Sequence, residues 1–336
     1  MTGRRRTGWT RLHLAVLLAL ALPAGGQAQV RAVRLVLDND AYNLWIPFDR
    51  RPDQEYTNGA WVSVEAAGVP RWARRLAGGR PACTAETAPD SACVTTTFDV
   101  GQKIFTPRND GAVLPPGERP YAGWLFGAAT VQAATAAWRR SLGVEVGVTG
   151  EPSLAEAVHE AWHEVTGYWR PEGWDNQVGF EPAFAVRYEA AHLLEAAGAG
   201  GARYADLAPY VGGAVGSLHT GAHAGARLRL GYDLPHPWRE DAAPSRGLRV
   251  YAFGGARQAL VLRNLFLDGS TFGGGPQVEH RAFVGEWELG GGVRWRGTSL
   301  EWRTVRRGRE YRTEPSPHQY SSFVLTYRPA PRDQAR

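Results

Sequence analysis

The chain has 336 residues and a formal net charge of +5, with 38 Lys+Arg against 33 Asp+Glu. Beyond its N-terminal stretch no segment offers about 18 consecutive apolar residues, which excludes an α-helical membrane protein. Gly 41, Trp 13 and Tyr 12 are all high, a composition that suits a curved β-barrel with aromatic girdles. Lys103 is the only lysine, so the positive charge belongs to arginine, which grips phosphate bidentately. In an exported chain such a partner is a phosphorylated lipid and not nucleic acid; a solvated basic surface is the plain alternative.

Export is read from the start of the chain. Arg4, Arg5, Arg6 and Arg11 precede the apolar run LHLAVLLALALPA, and Gly26-Gln27-Ala28 supplies small residues for cleavage. This is the layout of a signal peptide over residues 1–28, with a retained membrane anchor as the alternative. The remaining 308 residues (336 − 28) can form two soluble domains or one large β-architecture.

Twelve alternating runs follow, separated by turn residues. They are 31–38, 57–67, 95–105, 122–133, 138–150, 180–191, 204–218, 222–234, 247–262, 280–295, 297–305 and 320–328. Most reach the roughly 9–11 residues that a tilted membrane strand requires. In the later runs Leu300 and Trp302 oppose Ser299, Glu301 and Arg303, and Phe323, Leu325 and Tyr327 oppose Ser322, Val324 and Thr326. The pattern predicts an all-β fold: a transmembrane antiparallel β-barrel of about 12 strands over residues 29–336, with a C-terminal extension at 329–336. A soluble β-sandwich gives similar alternation. Cys83 and Cys93 flank the polar loop TAETAPDSA and read as a local disulfide in an oxidising compartment. The segment LLEAAGAGGA, residues 193–202, reads as a linker.

Two places carry candidate chemistry. A helix is predicted over about 153–166, with Ser153 as N-cap, Glu156 completing a capping box and Gly167 as the stop. Leu154, Val158, Ala161 and Val165 form an apolar stripe expected to pack, leaving His159 and His163 on another face. His159-Glu160-Ala161-Trp162-His163 spells H-E-x-x-H, a zinc-peptidase pattern, although Thr166 and Trp169 break its extended form. The second place is a rim. Asn39 and Asp40 end the first run, Thr57 begins the second, and a hairpin-like pairing brings their oxygens together, a donor set suited to calcium and not zinc. Turn formation alone also explains those residues.

The ordered fragments LDND, EYTNG, GQKIFTP, ERPYAGWLF, GVTGEPS, HEVTG, PEGWDNQV and FLDGSTF resemble the outer-membrane lipid A 3′-O-deacylases over almost the whole mature chain. The resemblance implies a twelve-stranded barrel, expected to be a monomer, with its helix in an extracellular loop and lipopolysaccharide as substrate. It implies Ca2+ held by Asp40 and Thr57, with Asn39 as a catalytic residue beside them and His163 as the base that activates water. His159 stands where the family has glutamine, a substrate-contacting position. Arg108 and Arg119 are the nearest candidates for the family's basic substrate-binding pair. Trp169 stands where a calcium-ligand glutamate is expected, with Glu172, Asp175 or Glu181 as substitutes. No G-x-S-x-G elbow occurs, against a covalent acyl-enzyme. A barrel whose site has decayed and a zinc peptidase are the rival readings.

Overall fold

The computed structural model describes residues 30–43, 54–66, 68–84, 86–109, 111–167, 169–197, 203–239 and 247–329. The predicted signal peptide and all of the C-terminal extension except Pro329 lie outside them. The strands are β1 (Val30–Asn39), β2 (Glu55–Ala66), β3 (Cys93–Thr106), β4 (Ala122–Ala134), β5 (Trp138–Val148), β6 (Pro182–His192), β7 (Leu194–Ala197), β8 (Arg203–Val215), β9 (His219–Gly231), β10 (Leu248–Asn264), β11 (Phe283–Trp295), β12 (Thr298–Arg307) and β13 (His318–Tyr327). The helices are α1 (Arg71–Leu76), α2 (Ala155–Thr166) and α3 (Leu265–Asp268). Every predicted run has become a strand. The supposed linker is corrected at its start: Leu194–Ala197 continues β6 past Leu193, and both pair antiparallel with β8. Counted as staves, β6 and β7 are one, so the barrel has twelve.

Each strand pairs antiparallel with its neighbours, β1 with β13, and the β6–β8 pairing closes the cylinder. Closure satisfies every edge, which is what allows strands to sit in hydrocarbon. Alternation sorts the side chains. Trp287 and Leu289 are exposed outward, while Glu286 and Glu288 between and beside them point into the lumen. Leu142, Val144 and Val146 likewise stand outside, with Glu145 inside. The outer surface is therefore apolar and the lumen polar, the arrangement of a barrel in lipid.

The lumen is full. Arg227 (β9) and Arg303 (β12) bind Glu288 at 2.6 and 3.1 Å, Arg307 binds Glu286 at 2.8 Å, and Arg187 binds Glu145 at 2.6 Å. Lys103 lies 4.8 Å from the Phe126 ring centre among these pairs. Toward the end where β1, β3 and β5 finish, an apolar plug spans the cylinder: Tyr56, Phe105, Trp124, Phe126, Val305 and Tyr320, with Leu265 and Phe266 of α3 inserted between them. Phe266 stacks on Phe105 at 4.4 Å. That end lies away from the chain termini and carries the longest loop, residues 149–181, so it faces the cell exterior.

The other end is crossed by residues 232–239. Leu234 packs on Tyr251 and Phe253, and Arg229 holds the Pro235 carbonyl at 2.9 Å. The Trp238 indole donates to Thr135 O at 2.9 Å, beside Arg139, and Arg239 donates to the carbonyls of Thr87, Ala88 and Pro89. The strap thus runs from the β9–β10 side to the β4–β5 turn, and ends on the loop that the Cys83–Cys93 disulfide closes. The predicted disulfide is formed.

Candidate active site

Pairing of β1 with β2 sets Asn39 opposite Asn58, so the expected hairpin at the outer rim exists. Asn39 is buried and its Oδ1 accepts from Ala41 N at 2.7 Å, capping the 3-10 turn Asp40–Tyr42. Asp40 is buried too and its Oδ2 accepts from Gln54 N at 2.7 Å. The β2–β3 register slips between Tyr56 and Asn58, a bulge that gives Thr57 no ladder partner on β3. Its hydroxyl meets that of Thr106 at 2.5 Å.

On β3, Asp99 and Lys103 line the lumen, so Gln102, Ile104 and Thr106 point outward by the period of two. Helix α2 lies against this outer wall. Gln102 Nε2 donates to Ser153 O at 2.6 Å, and Ala155 packs with Ile104, Tyr121 and Trp174. Gly123 on β4 makes the close approach possible: a Cβ there would meet Ser153 Oγ at 2.0 Å and Ala155 Cβ at 2.3 Å.

Three helix expectations are corrected. The helix begins at Ala155, not Ser153, because residues 151–153 form a 3-10 turn in which the Ser153 hydroxyl donates to Gly150 O. No capping box forms, and Leu154 caps instead at φ 59°. The packing face is also reversed. Ala155, His159 and His163 are buried against the wall, while Leu154, Val158 and Val165 are exposed at 41, 44 and 83%. In lipid the apolar stripe has no need to turn inward. Gly167 ends the helix in the left-handed region (φ 74°), as expected.

The partners of the two histidines fix their protons. His163 Nδ1 contacts the backbone carbonyl of Trp169, and a carbonyl only accepts, so Nδ1 carries the hydrogen and Nε2 the lone pair. His159 Nδ1 faces the Trp174 indole N–H at 3.2 Å, and an indole only donates, so a neutral His159 carries its hydrogen on Nε2. The rings stand edge to face, 4.3 Å apart. One imidazole offers a base and its neighbour a donor. Trp169 performs its backbone role while its side chain is 51% exposed.

Glu160 points elsewhere, holding Arg170 at 2.8 Å. Among the described residues no third His, Cys, Asp or Glu converges with His159 and His163, so the geometry gives the zinc motif no support. The rim and the histidines share one wall. Thr57 bonds Thr106, and Ile104, next outward on β3, packs on the Trp174 that orients His159.

Arg108 and Arg119 meet at one carboxylate. Arg108 Nε binds Glu55 at 2.9 Å and Arg119 Nη1 binds the same carboxylate at 3.3 Å, with Tyr311 OH at 3.0 Å. Arg119 is only 1% exposed, so its guanidinium faces no substrate phosphate. Glu55 itself sits at φ 66°, a conformation costing roughly 1–3 kcal/mol that this network must outweigh. Sequence reasoning assigned no role to Glu55 or Trp174; EYTNG and PEGWDNQV were its only trace. The substitutes considered for Trp169 do not join the rim: Glu172 and Asp175 are exposed, and Glu181 accepts from Ser270 and from Thr271 N.

The model of the outer membrane protein LpxR family matches residues 12–329. Among solved structures, LpxR from Salmonella typhimurium is similar at TM-score 0.71 and 17% identity, covering 88% of this chain and 99% of its own. The β domain of the Bordetella autotransporter BrkA follows at 0.46 and 10%, covering 90% and 99%. The translocator domain of NalP from Neisseria meningitidis stands at 0.43 and 11%, covering 95% of each. No curated protein sequence matches the chain. With the profile spanning nearly the full length and the barrel shared, the chain belongs to the LpxR family of outer-membrane proteins, the lipid A 3′-O-deacylase family its motifs resemble.

Proposed function

We propose that the protein hydrolyses an ester-linked acyl chain of lipid A at the outer wall of the barrel. What carries the reading is the complementary pair of imidazoles: His163 with a lone pair on Nε2, and His159 with a hydrogen there. Water loses a proton to His163 Nε2 as its oxygen adds to the ester carbonyl carbon. The carbon–alkoxide bond then breaks, the proton returns from the imidazolium to the sugar oxygen, and the fatty acid leaves. His159 donates toward the substrate oxygen. A site on the outside of the wall suits a substrate that never leaves the leaflet.

Asp40, Thr57 and Asn39 present only oxygen donors, buried at one rim, a set that fits a hard cation such as Ca2+. It contains one formal charge, and Trp169 adds none, so the fit is to a weakly held ion. Calcium, when bound, supplies positive charge for the oxygen that becomes anionic. Arg119 is buried on Glu55, and Arg108 braces the same carboxylate from a partly exposed side chain.

Trp169 also favours a second reading, a structural or lipid-binding barrel whose site has decayed. Mass spectrometry of lipid A from cells with and without the protein separates the two. Loss of one ester-linked acyl chain, abolished by His163→Ala, is the expected result. Unchanged lipid A in the presence of folded protein would leave the decayed barrel.

A further inference from the structure

Helix α2 carries three chemically distinct faces. Ala155, His159 and His163 face the wall. Glu156, Glu160 and Glu164 follow one another at four-residue spacing along a second face, and Leu154, Val158, Ala161 and Val165 occupy the third. The third face is exposed, and so is the indole of Trp169 just beyond the helix.

The exposed stripe does not stand alone. The helix rests on the outward row of β3 and β4 at Gln102, Ile104 and Gly123. On β5, Val144 and Val146 are exposed on the same outer surface, and Phe184 continues it on β6. Leu125 is the next outward residue below Gly123, about 7 Å away along the strand. The outward row of the wall is thus apolar at Leu125, Val144, Val146 and Phe184 below the point where α2 is seated, with Gln102 committed to Ser153 O. A helix crossing the top of such a wall, with acids on one side and valines on the other, is oriented by the boundary between headgroups and acyl chains.

We infer that α2 lies in the outer-leaflet interface, with the Leu154–Val158–Ala161–Val165 stripe immersed among acyl chains and the glutamate row facing the headgroup layer. The occupant of the stripe is the acyl part of the surrounding lipid. Trp169 sits at the depth where indoles collect. This rests on the outer-membrane fold and stands whether or not the protein is a deacylase.

The test uses the full chain refolded into vesicles of phospholipid and lipopolysaccharide, without any activity readout. A phospholipid bearing a diazirine near the end of one acyl chain is photolysed beside the wild-type protein, and the modified residues are mapped by mass spectrometry. Insertion at Val158, Val165 or Leu154, and not at the three glutamates, is expected. Spin labels at Val158→Cys, Val165→Cys and Glu164→Cys give a second measurement. The first two should respond several-fold more to oxygen than to a water-soluble nickel chelate, and the third should reverse. Diazirine labelling confined to the strands, or equal nickel access at positions 165 and 164, would overturn the proposal.

Discussion

The lumen and the outer wall both bury polar groups, and they do so in opposite ways. Inside, carboxylates meet arginines across staves: Glu288 takes both Arg227 and Arg303, Glu286 takes Arg307, and Glu55 takes Arg108 and Arg119. On the outside, His159 meets the Trp174 indole and His163 the Trp169 carbonyl, each through its Nδ1. The difference teaches that a buried charge pair in this barrel is architecture, whereas the two imidazoles are oriented by neutral groups, a backbone carbonyl and an indole.

The largest expected effect is on the outer wall. His163→Ala should lower turnover of lipid A by roughly 10²–10⁴-fold, the usual worth of a positioned base, with the heat-modifiable gel shift of the folded barrel unchanged. Glu160→Gln should retain most activity, because that carboxylate holds Arg170 and not a metal. A dead Glu160→Gln protein rescued by zinc alone would break the contrast drawn here. Next comes the rim. Asp40→Ala, or chelation, should cost about 10²–10³-fold if a bound cation stabilises the oxyanion, and calcium should restore the chelated enzyme while zinc should not.

Inside the barrel the expected losses are of stability and not of rate. Arg119→Ala leaves Glu55 buried with fewer partners and should destabilise the fold by roughly 3–5 kcal/mol, read as a lower gel-shift temperature, with turnover per folded molecule retained. At the far end, Cys83→Ser with Cys93→Ser should leave hydrolysis intact while loosening the strap that Arg239 pins. Lys103, the only lysine, reports on this: its reaction with a small amine reagent should rise when the strap is freed.

The smallest effect is a pH response in a loop. Burial pushes the Glu181 carboxyl up, but hydrogen bonds from Ser270 and Thr271 outweigh it and hold the group below its ordinary value. A lowered value means stabilisation that is complete above the ordinary carboxylate range and lost as the pH falls through the folded value. Protection from hydrogen exchange in residues 265–282, taken relative to the intrinsic amide rate at each pH, should therefore be steady near neutrality and fall under acid, and Glu181→Gln should remove that dependence.

The strands were legible because a barrel wall imposes a period of two wherever lipid lies on one side. Helix α2 was legible in place but not in orientation. Amphipathic spacing tells which residues share a face, and says nothing of whether the apolar face meets a core or a lipid; here Val158 and Val165 turn outward. Ser153 looked like an N-cap until Gly123 and the 3-10 turn claimed its surroundings. Glu55 and Trp174 act through partners 256 and 15 residues away, Tyr311 and His159, which no local pattern can reveal. Arg108 and Arg119 were found as basic residues in a plausible place, but their partner comes from β2.

The plug and the strap have one more consequence, for the cell and not for the site. Among the described residues, aromatic rings pack across one mouth and residues 232–239 lie over the other, an arrangement that obstructs passage of small solutes. Vesicles loaded with this protein should hold an osmotic gradient as long as bare ones do.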